Sequence, residues 1–574
     1  MKKLFTSLFA LIIISAAGNI FSQGRFEKID DLLNKYYEYG LFNGTALVAE
    51  DGDVILSKGY GYANLEWNIP NTPDTKFRIG SISKQFTATI IMRLVEEGKI
   101  KLDGKITDYL PDYRKETGDK VTIHHLLTHT SGIISYTNTP NVWLDSLRNH
   151  YDKEYFIKHF HSGDLEFEPG KEFSYNNTGY YLLAIIAEKV TGKDFGKLLK
   201  ERIFDLVGME NTGSEDDESI IKKKAFGYLK FGNQFTNDLY MFMPNAMGAG
   251  HMYSTVEDLF KWDQALYTDK ILSEESKEKM FTPFLSDYGY GWGIFWSKLS
   301  ESDSVRTIAH SGGINGFNTN FSRLVDKNQT IILFNNTGNA PLSEMSTEIA
   351  KILNNYDYKY PKKPIIDFLA GVIDEKGIDE AVTTYKKIKS EERDDYDFSE
   401  AQLNTLGYNY LGQDKVDIAI EIFRLNMEVY PDAFNTYDSY AEGLMVKGDK
   451  EGAIKYYEKS LELNPGNTNG INMLKKLGVD YKAKEIKIDN ALLMKYEGKY
   501  QLFPNFVITI RIDGDRVFAQ ATGQGEFEIF PQSETKFYYN VVPAQIEFIA
   551  NENGEFNKMI LFQNNQEMPG ERIN

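Results

Sequence analysis

The chain of 574 residues contains no cysteine. Disulfides, thiolate metal sites, a cysteine nucleophile and lipid attachment at cysteine are thereby excluded. Positive charge is also scarce. Lys and Arg number 64 against 83 Asp and Glu, for a formal net charge of −19. Such a surface repels phosphate backbones, and no basic run is long enough to offset it, so nucleic acid is excluded as a partner. Beyond the first 22 residues no apolar run reaches membrane-spanning length. Histidine is limited to eight residues. His124, His125 and His129 lie close together, as do His159 and His161, yet none falls in a His-Glu-x-x-His pattern. No metal or cofactor is called for.

What the chain does have is core material. Hydrophobic residues make up 42% and aromatics 14%, which excludes global disorder. The length implies several domains. Residues 1–22 read as a signal peptide: Lys2 and Lys3, then a nearly unbroken apolar stretch from Leu4 to Ala17, then small or polar residues up to Ser22. The apolar run is short for a membrane anchor and no stop-transfer pattern follows. The expected product is a periplasmic or secreted protein with no span in its mature part.

From about 25 to 355, strand and helix signals alternate. Phe26–Tyr37 and Phe86–Leu94 have helical spacing, with Phe86, Ile90, Ile91 and Leu94 on one face. Thr45–Ala49 and Val54–Lys58 read as strands joined by the Asp51-Gly52 hairpin turn. Thr307–His310, Thr319–Leu324 and Thr330–Phe334 read as three more, with a turn over 326–329. An α/β body with a largely antiparallel sheet is predicted.

From about 360 to 480 the pattern is all-helical and repeats with a period of 34 residues. Leu406 maps to Tyr440, Ala419 to Ala453, Phe423 to Tyr457 and Pro431 to Pro465. The pairing of alanine with an aromatic four residues on resembles tetratricopeptide repeats, and Ala381 with Tyr385 gives a degenerate third unit. Such units need neighbours to bury their faces, so packing against a flanking domain is expected. Two clear units favour a structural spacer over peptide binding, which leaves a protein partner as the alternative. From about 490 to 574 strand signals dominate: Phe506–Ile512, Arg516–Ala521, Phe527–Phe530, Lys536–Asn540, Gln545–Ile549 and Lys558–Phe562. Asp513-Gly514 and Asn553-Gly554 supply hairpin turns. A small antiparallel β-barrel is predicted, to hold a ligand, cover a site or pack.

One stretch carries chemistry. Ser81-Ile82-Ser83-Lys84 offers a hydroxyl and an amine one helical turn apart. Ser-x-x-Lys recurs at Ser219, Ser276 and Ser533, in lysine-rich or strand-like contexts that read as chance, and the bland role for Ser81 is a helix cap. Two further elements follow in order. Tyr175-Asn176-Asn177 comes after Phe167 to Ser174. His310-Ser311-Gly312-Gly313 stands at the end of a predicted strand. Tyr-x-Asn at Tyr62 fails on order, at Tyr538 it lies in the barrel, and at Tyr136 it follows Leu126 to Gly132 and reads as structural.

These three elements with their flanks, over roughly 25 to 355, resemble the serine β-lactamase and penicillin-binding-protein superfamily. The likeness is to the branch holding class C β-lactamases, D-alanyl-D-alanine carboxypeptidases, D-aminopeptidases and esterases. The resemblance implies a hydrolase that works through an acyl-enzyme. Ser81 is the nucleophile. Lys84 and Tyr175 share its proton, the order between them left open, with a cationic Lys84 expected to favour the tyrosinate. Asn177 orients Lys84 and contacts substrate. The Ser81 and Gly313 amides form the oxyanion hole. His310 and Ser311 hold the tyrosine's proton network or the far end of the substrate, and Gly312 belongs to the same substrate-binding element. His310 stands where class C β-lactamases have lysine, and histidine is mostly neutral at pH 7. A small peptide or ester is therefore favoured as substrate. A β-lactamase is one alternative, and a catalytically idle scaffold binding peptide or glycan is another.

Overall fold

The computed structural model describes residues 24–573 apart from 140–141, 143–145, 233, 392, 482–485, 504–505, 523, 540, 543 and 564–565. The expected signal peptide lies outside the described residues. Two compact units meet in sequence at Pro361 and Lys362, with 231–233 grouped with the second.

In the first unit a helix over 24–38 (α1) leads into strands β1 (Gly44–Glu50) and β2 (Asp53–Tyr60). Asp51 and Gly52 between them have φ of 53° and 83°, the twin left-handed conformations that a two-residue hairpin requires. Helices α2 (Ser83–Glu96), α3 (Asn177–Thr191) and α4 (Val256–Ala265) follow, then strands β3 (Gly293–Lys298), β4 (Ser304–Ile314), β5 (Phe317–Leu324) and β6 (Gln329–Asn335), and helix α5 (Leu342–Leu353). The strands form one antiparallel sheet in the order β3-β4-β5-β6-β1-β2.

Both faces of this sheet are covered. In β6, Ile332 and Phe334 face a core built largely on α2 and α3, while Ile331 and Leu333 face a second core with α1 and α5. Strand periodicity sorts alternate residues to opposite faces, and double burial explains why β6 reads as a continuous apolar run. Helix α2 is more enclosed than its one apolar face suggests. Ser83, Lys84, Gln85, Thr87 and Thr89 are buried too. Thr87 donates to the Gly248 carbonyl at 2.7 Å and Thr89 to that of Gln85 at 2.8 Å.

The second unit begins with helices α6 (Ile365–Lys376), α7 (Ile378–Ser390), α8 (Glu400–Gly412), α9 (Val416–Val429), α10 (Phe434–Lys447), α11 (Lys450–Leu463) and α12 (Thr468–Lys476). Ala419, Phe423, Ala453 and Tyr457 of the 34-residue repeat are buried in these helices, as are Ala381 and Tyr385. The Phe423 ring of α9 fills the space beside Gly407 of α8, where an added Cβ would lie 2.3 Å from it.

Eight strands then close a barrel: β7 (Gly498–Phe503), β8 (Phe506–Asp513), β9 (Arg516–Ala521), β10 (Glu526–Pro531), β11 (Lys536–Tyr539), β12 (Ala544–Ala550), β13 (Phe556–Gln563) and β14 (Gln566–Ile573). The outermost pair, β7 and β14, have no counterpart among the strands expected from sequence, and Asn540 of the expected fourth strand lies outside the described residues. Tyr496, Tyr500, Phe537, Ile546, Phe548 and Met559 fill the interior, with Tyr496 stacked on Phe548 at 4.4 Å. A lumen packed with side chains favours the packing role over ligand storage. Gln545 donates to Asn464 at 3.1 Å, and Gln532 donates to the Leu463 carbonyl, which ties the end of α11 to the barrel.

Candidate active site

Ser81 sits in a single 3-10 turn, Gly80–Ile82, that runs directly into α2. Phe77 and Arg78 just before it pair with Tyr253 and Ser254. Gly80 has φ +51°, and a Cβ there would lie 2.8 Å from the amide nitrogen of Gly313. Only glycine lets the nucleophile turn approach β4 this closely.

Three oxygens surround the Lys84 amine. It lies 3.0 Å from Ser81 Oγ, 2.7 Å from Asn177 Oδ1 and 2.9 Å from the Ala249 carbonyl. Lys84 is fully buried, and burial holds its amine well below the usual lysine range. A neutral amine has two hydrogens and one lone pair. The amide oxygen of Asn177 and the carbonyl of Ala249 can only accept, so they take both hydrogens. The lone pair is left for the Ser81 hydroxyl.

Tyr175 precedes α3, whose N-cap Asn176 accepts from the Gly179 amide at 2.9 Å. Asn177 opens the helix. Its Nδ2 donates to Thr137 at 3.0 Å, which leaves Oδ1 turned to Lys84. The Tyr175 ring lies 4.7 Å from Lys84 Nζ. Tyr175 lines the site with 36% of its surface exposed, yet the groups around it raise its hydroxyl above the ordinary phenol range, a rise that a hydrogen bond with Ser81 opposes. Desolvation disfavours both the lysine cation and the tyrosine anion, which opposes the expected tyrosinate beside a cationic lysine.

The His310–Gly313 element forms the C-terminal end of β4, one residue short of its last position. Pairing of β3 with β4 stops at Ala309, so among the described residues no strand occupies that edge over 310–314. Ser311 and Gly313 are exposed there, and a Cβ on Gly313 would meet nothing within 4 Å. Gly312 instead faces inward, where a Cβ would strike the Ile79 carbonyl. His310 Nδ1 donates to the Ser311 carbonyl at 2.6 Å, and Nε2 accepts from the Tyr288 hydroxyl at 2.8 Å. Burial and the nearby Lys84 push its imidazole down to about 3, so it is neutral at pH 7.

The structure thus brings Ser81, Lys84, Tyr175, Asn177 and the 310–313 strand together. It adds three groups that sequence reasoning did not single out: the Ala249 carbonyl, Tyr288 and His129. His129 was visible as one of a histidine group and as part of the Leu126 to Gly132 stretch, but without a role. Tyr136, read as structural, is buried, with its hydroxyl on the Asn245 carbonyl at 3.1 Å.

An antiparallel sheet over a buried helix, with serine and lysine one turn apart at its start, defines a penicillin-binding-protein-like serine hydrolase. A profile described as Beta-lactamase matches residues 27–354, and the chain belongs to that family. Residues 482–573 match a domain family of unknown function, DUF3471. Penicillin-binding protein 4* of Bacillus subtilis is 31% identical over 363 residues, covering 60% of this chain and 79% of that protein. The teichoic acid D-alanine hydrolase of Staphylococcus aureus is 29% identical over 269 residues, 46% of this chain and 62% of its own. The octameric penicillin-binding protein homologue from Pyrococcus abyssi shares the fold with a TM-score of 0.51 at 22% identity, over 95% of this chain and 99% of that one.

Proposed function

We propose that this serine hydrolase acts outside the cytoplasm on small D-configured peptides, amides or esters, with Ser81 as nucleophile and neutral Lys84 as its base. The observation that carries the reading is the Lys84 amine, held by two pure acceptors with its third position on Ser81. Ser81 Oγ attacks the substrate carbonyl carbon and its proton passes to Lys84. The resulting oxyanion meets the Ser81 and Gly313 amides. Collapse breaks the bond to the leaving amine or alcohol, which takes a proton through the neutral Tyr175 phenol as Lys84 returns one to it. Water, deprotonated by the same pair, then releases the acyl group and restores Ser81.

The substrate class follows from His310 and from relatives. A neutral imidazole offers no charge for a terminal carboxylate, which disfavours penicillins and cephalosporins as well as peptides with a free C-terminus. The relative named for D-alanine hydrolysis supports a D-aminoacyl donor. The expected N-terminal signal peptide supports export, and among the described residues no helix is long and apolar enough to cross a membrane.

Intact-mass measurement after exposure to a fluorophosphonate tests the nucleophile. One adduct on the wild type and none on Ser81→Ala is expected. Turnover of D-alanine esters and amides should exceed that of a chromogenic cephalosporin. Labelling that survives Ser81→Ala would remove the reading, and preference for the cephalosporin would overturn the substrate class.

A further inference from the structure

Tyr175 lies ahead of α3, outside regular structure, and something must hold its ring. The amides on either side of it are both bound by one residue. Ser174 N–H donates to the His129 carbonyl at 2.9 Å, and Asn176 N–H donates to His129 Nδ1 at 3.0 Å. The His129 ring itself packs on Tyr175 with centroids 4.3 Å apart. Tyr175 is thus gripped on both flanks and on a face.

His129 holds this position at a cost. Its φ is +59°, a left-handed conformation that disfavours side chains other than glycine and asparagine by about 1–2 kcal/mol. A residue chosen only for the turn would be one of those two. Because Nδ1 accepts, Nε2 carries the hydrogen, and it is buried with no hydrogen-bond partner among the described residues. Burial, with Lys84 and His310 close by, holds the ring neutral, which keeps Nδ1 an acceptor. The same ring abuts Tyr288 at 4.6 Å, and Tyr288 donates to His310. One imidazole therefore joins the Tyr175 loop to the substrate strand without touching the reacting atoms.

We infer that His129 is a positioning residue for acyl transfer, its carbonyl, Nδ1 and ring face together fixing the Tyr175 hydroxyl opposite Ser81. The inference rests on the Ser81 acyl-enzyme reading above. In the full-length protein, His129→Ala should lower kcat on a D-alanine ester on the order of 100-fold, the scale of a misplaced catalytic group, with KM changed less than about threefold. His129→Asn, which accepts at the place of Nδ1 and tolerates the left-handed backbone, should recover most of that loss. His129→Gln, whose acceptor reaches one carbon further, should not. On a Tyr175→Phe background His129→Ala should add almost nothing, because the two act as a unit. Full losses that multiply in the double variant would overturn the inference, as would His129→Asn no better than His129→Gln at equal thermal stability. Should His129→Ala fail to fold, the Asn and Gln pair decides alone. Turnover retained by Ser81→Ala would instead sink the acyl-enzyme reading. Abolished turnover in Ser81→Ala with wild-type rates in every His129 variant sinks only the role of His129.

Discussion

At the scale of single residues, the site turns on a lysine whose charge burial disfavours. Desolvation lowers Lys84 because a cation in a buried place forfeits its hydration. The working base is the deprotonated amine, so activity should climb with pH through the lowered Lys84 value and reach its plateau well short of pH 10.5. A pH profile of kcat/KM on a neutral ester reads this directly, since the profile reports the free enzyme. Lys84→Arg should lose at least about 1,000-fold, because a guanidinium does not deprotonate in proteins. An arginine variant of near wild-type rate, or a profile still rising at pH 10.5, would refute the base assignment. The three motif elements were legible in the chain because each is a short contiguous string. The Ala249 carbonyl and the clamp on Tyr175 were not. A carbonyl has no residue signature, and His129 acts through a left-handed backbone that no one-letter code displays.

At the scale of elements, a buried ion pair joins α4 to the sheet. Arg323 of β5 donates to Asp263 of α4 at 2.6 Å, and Thr330 of β6 donates to the other carboxylate oxygen at 2.7 Å. Arg323 and Asp263 are both buried, and the guanidinium also stacks near Tyr267, Phe281 and Trp292. Removing one partner strands a buried charge, so Asp263→Ala should cost about 3–5 kcal/mol, whereas Asp263→Leu with Arg323→Met should cost far less. Denaturant midpoints compare the variants. A double variant as unstable as the single one would show that the pair itself, rather than the orphaned charge, carries the loss. Elements were read from the chain with unequal success for related reasons. β1, β2 and β4 to β6 announce themselves by apolar runs and a hairpin turn. The missed barrel strands do not: β14, Gln-Glu-Met-Pro-Gly-Glu-Arg-Ile, is polar and carries Pro569 and Gly570. It is a strand because closing the barrel supplies partners on both sides, β13 and β7, and that is decided by topology rather than local preference.

At the scale of the whole molecule, the distribution of buried imidazoles sets an acid limit on the catalytic unit. Burial lowers His161 and His310 to about 3 and His251 to about 4, and it depresses His129, His124 and His125 as well. All six favour the neutral ring when folded, while the unfolded chain binds their protons near the ordinary 6.5. Below that value the unfolded state therefore holds more protons, and stability falls with falling pH by up to about 1.4 kcal/mol per histidine per pH unit. The histidine contribution is complete above about pH 7 and is lost as pH falls from 6.5 toward the lowered folded values. Carboxylates held low by ion pairs, such as Glu97 near 2 and Glu215 against Arg78, add their own loss only below about 4.5, so the added steepness from 6.5 to 4.5 belongs to the histidines, on top of the Lys84 contribution. The measurement is specific, because all five tryptophans, Trp67, Trp143, Trp262, Trp292 and Trp296, precede residue 355. Tryptophan fluorescence in urea then follows the catalytic unit alone. Its midpoint should fall gently between pH 8 and 7, where only Lys84 takes up a proton on unfolding, and more steeply from 6.5 to 5. His251→Asn keeps an acceptor for the Gly248 amide, which His251 Nδ1 takes at 3.2 Å, but it cannot titrate, so the slope from 6.5 to 5 should lessen. A midpoint unchanged from pH 7 to 5 would mean that these imidazoles take up protons in the folded state, and the neutral His310 on which the substrate reading depends would go with them.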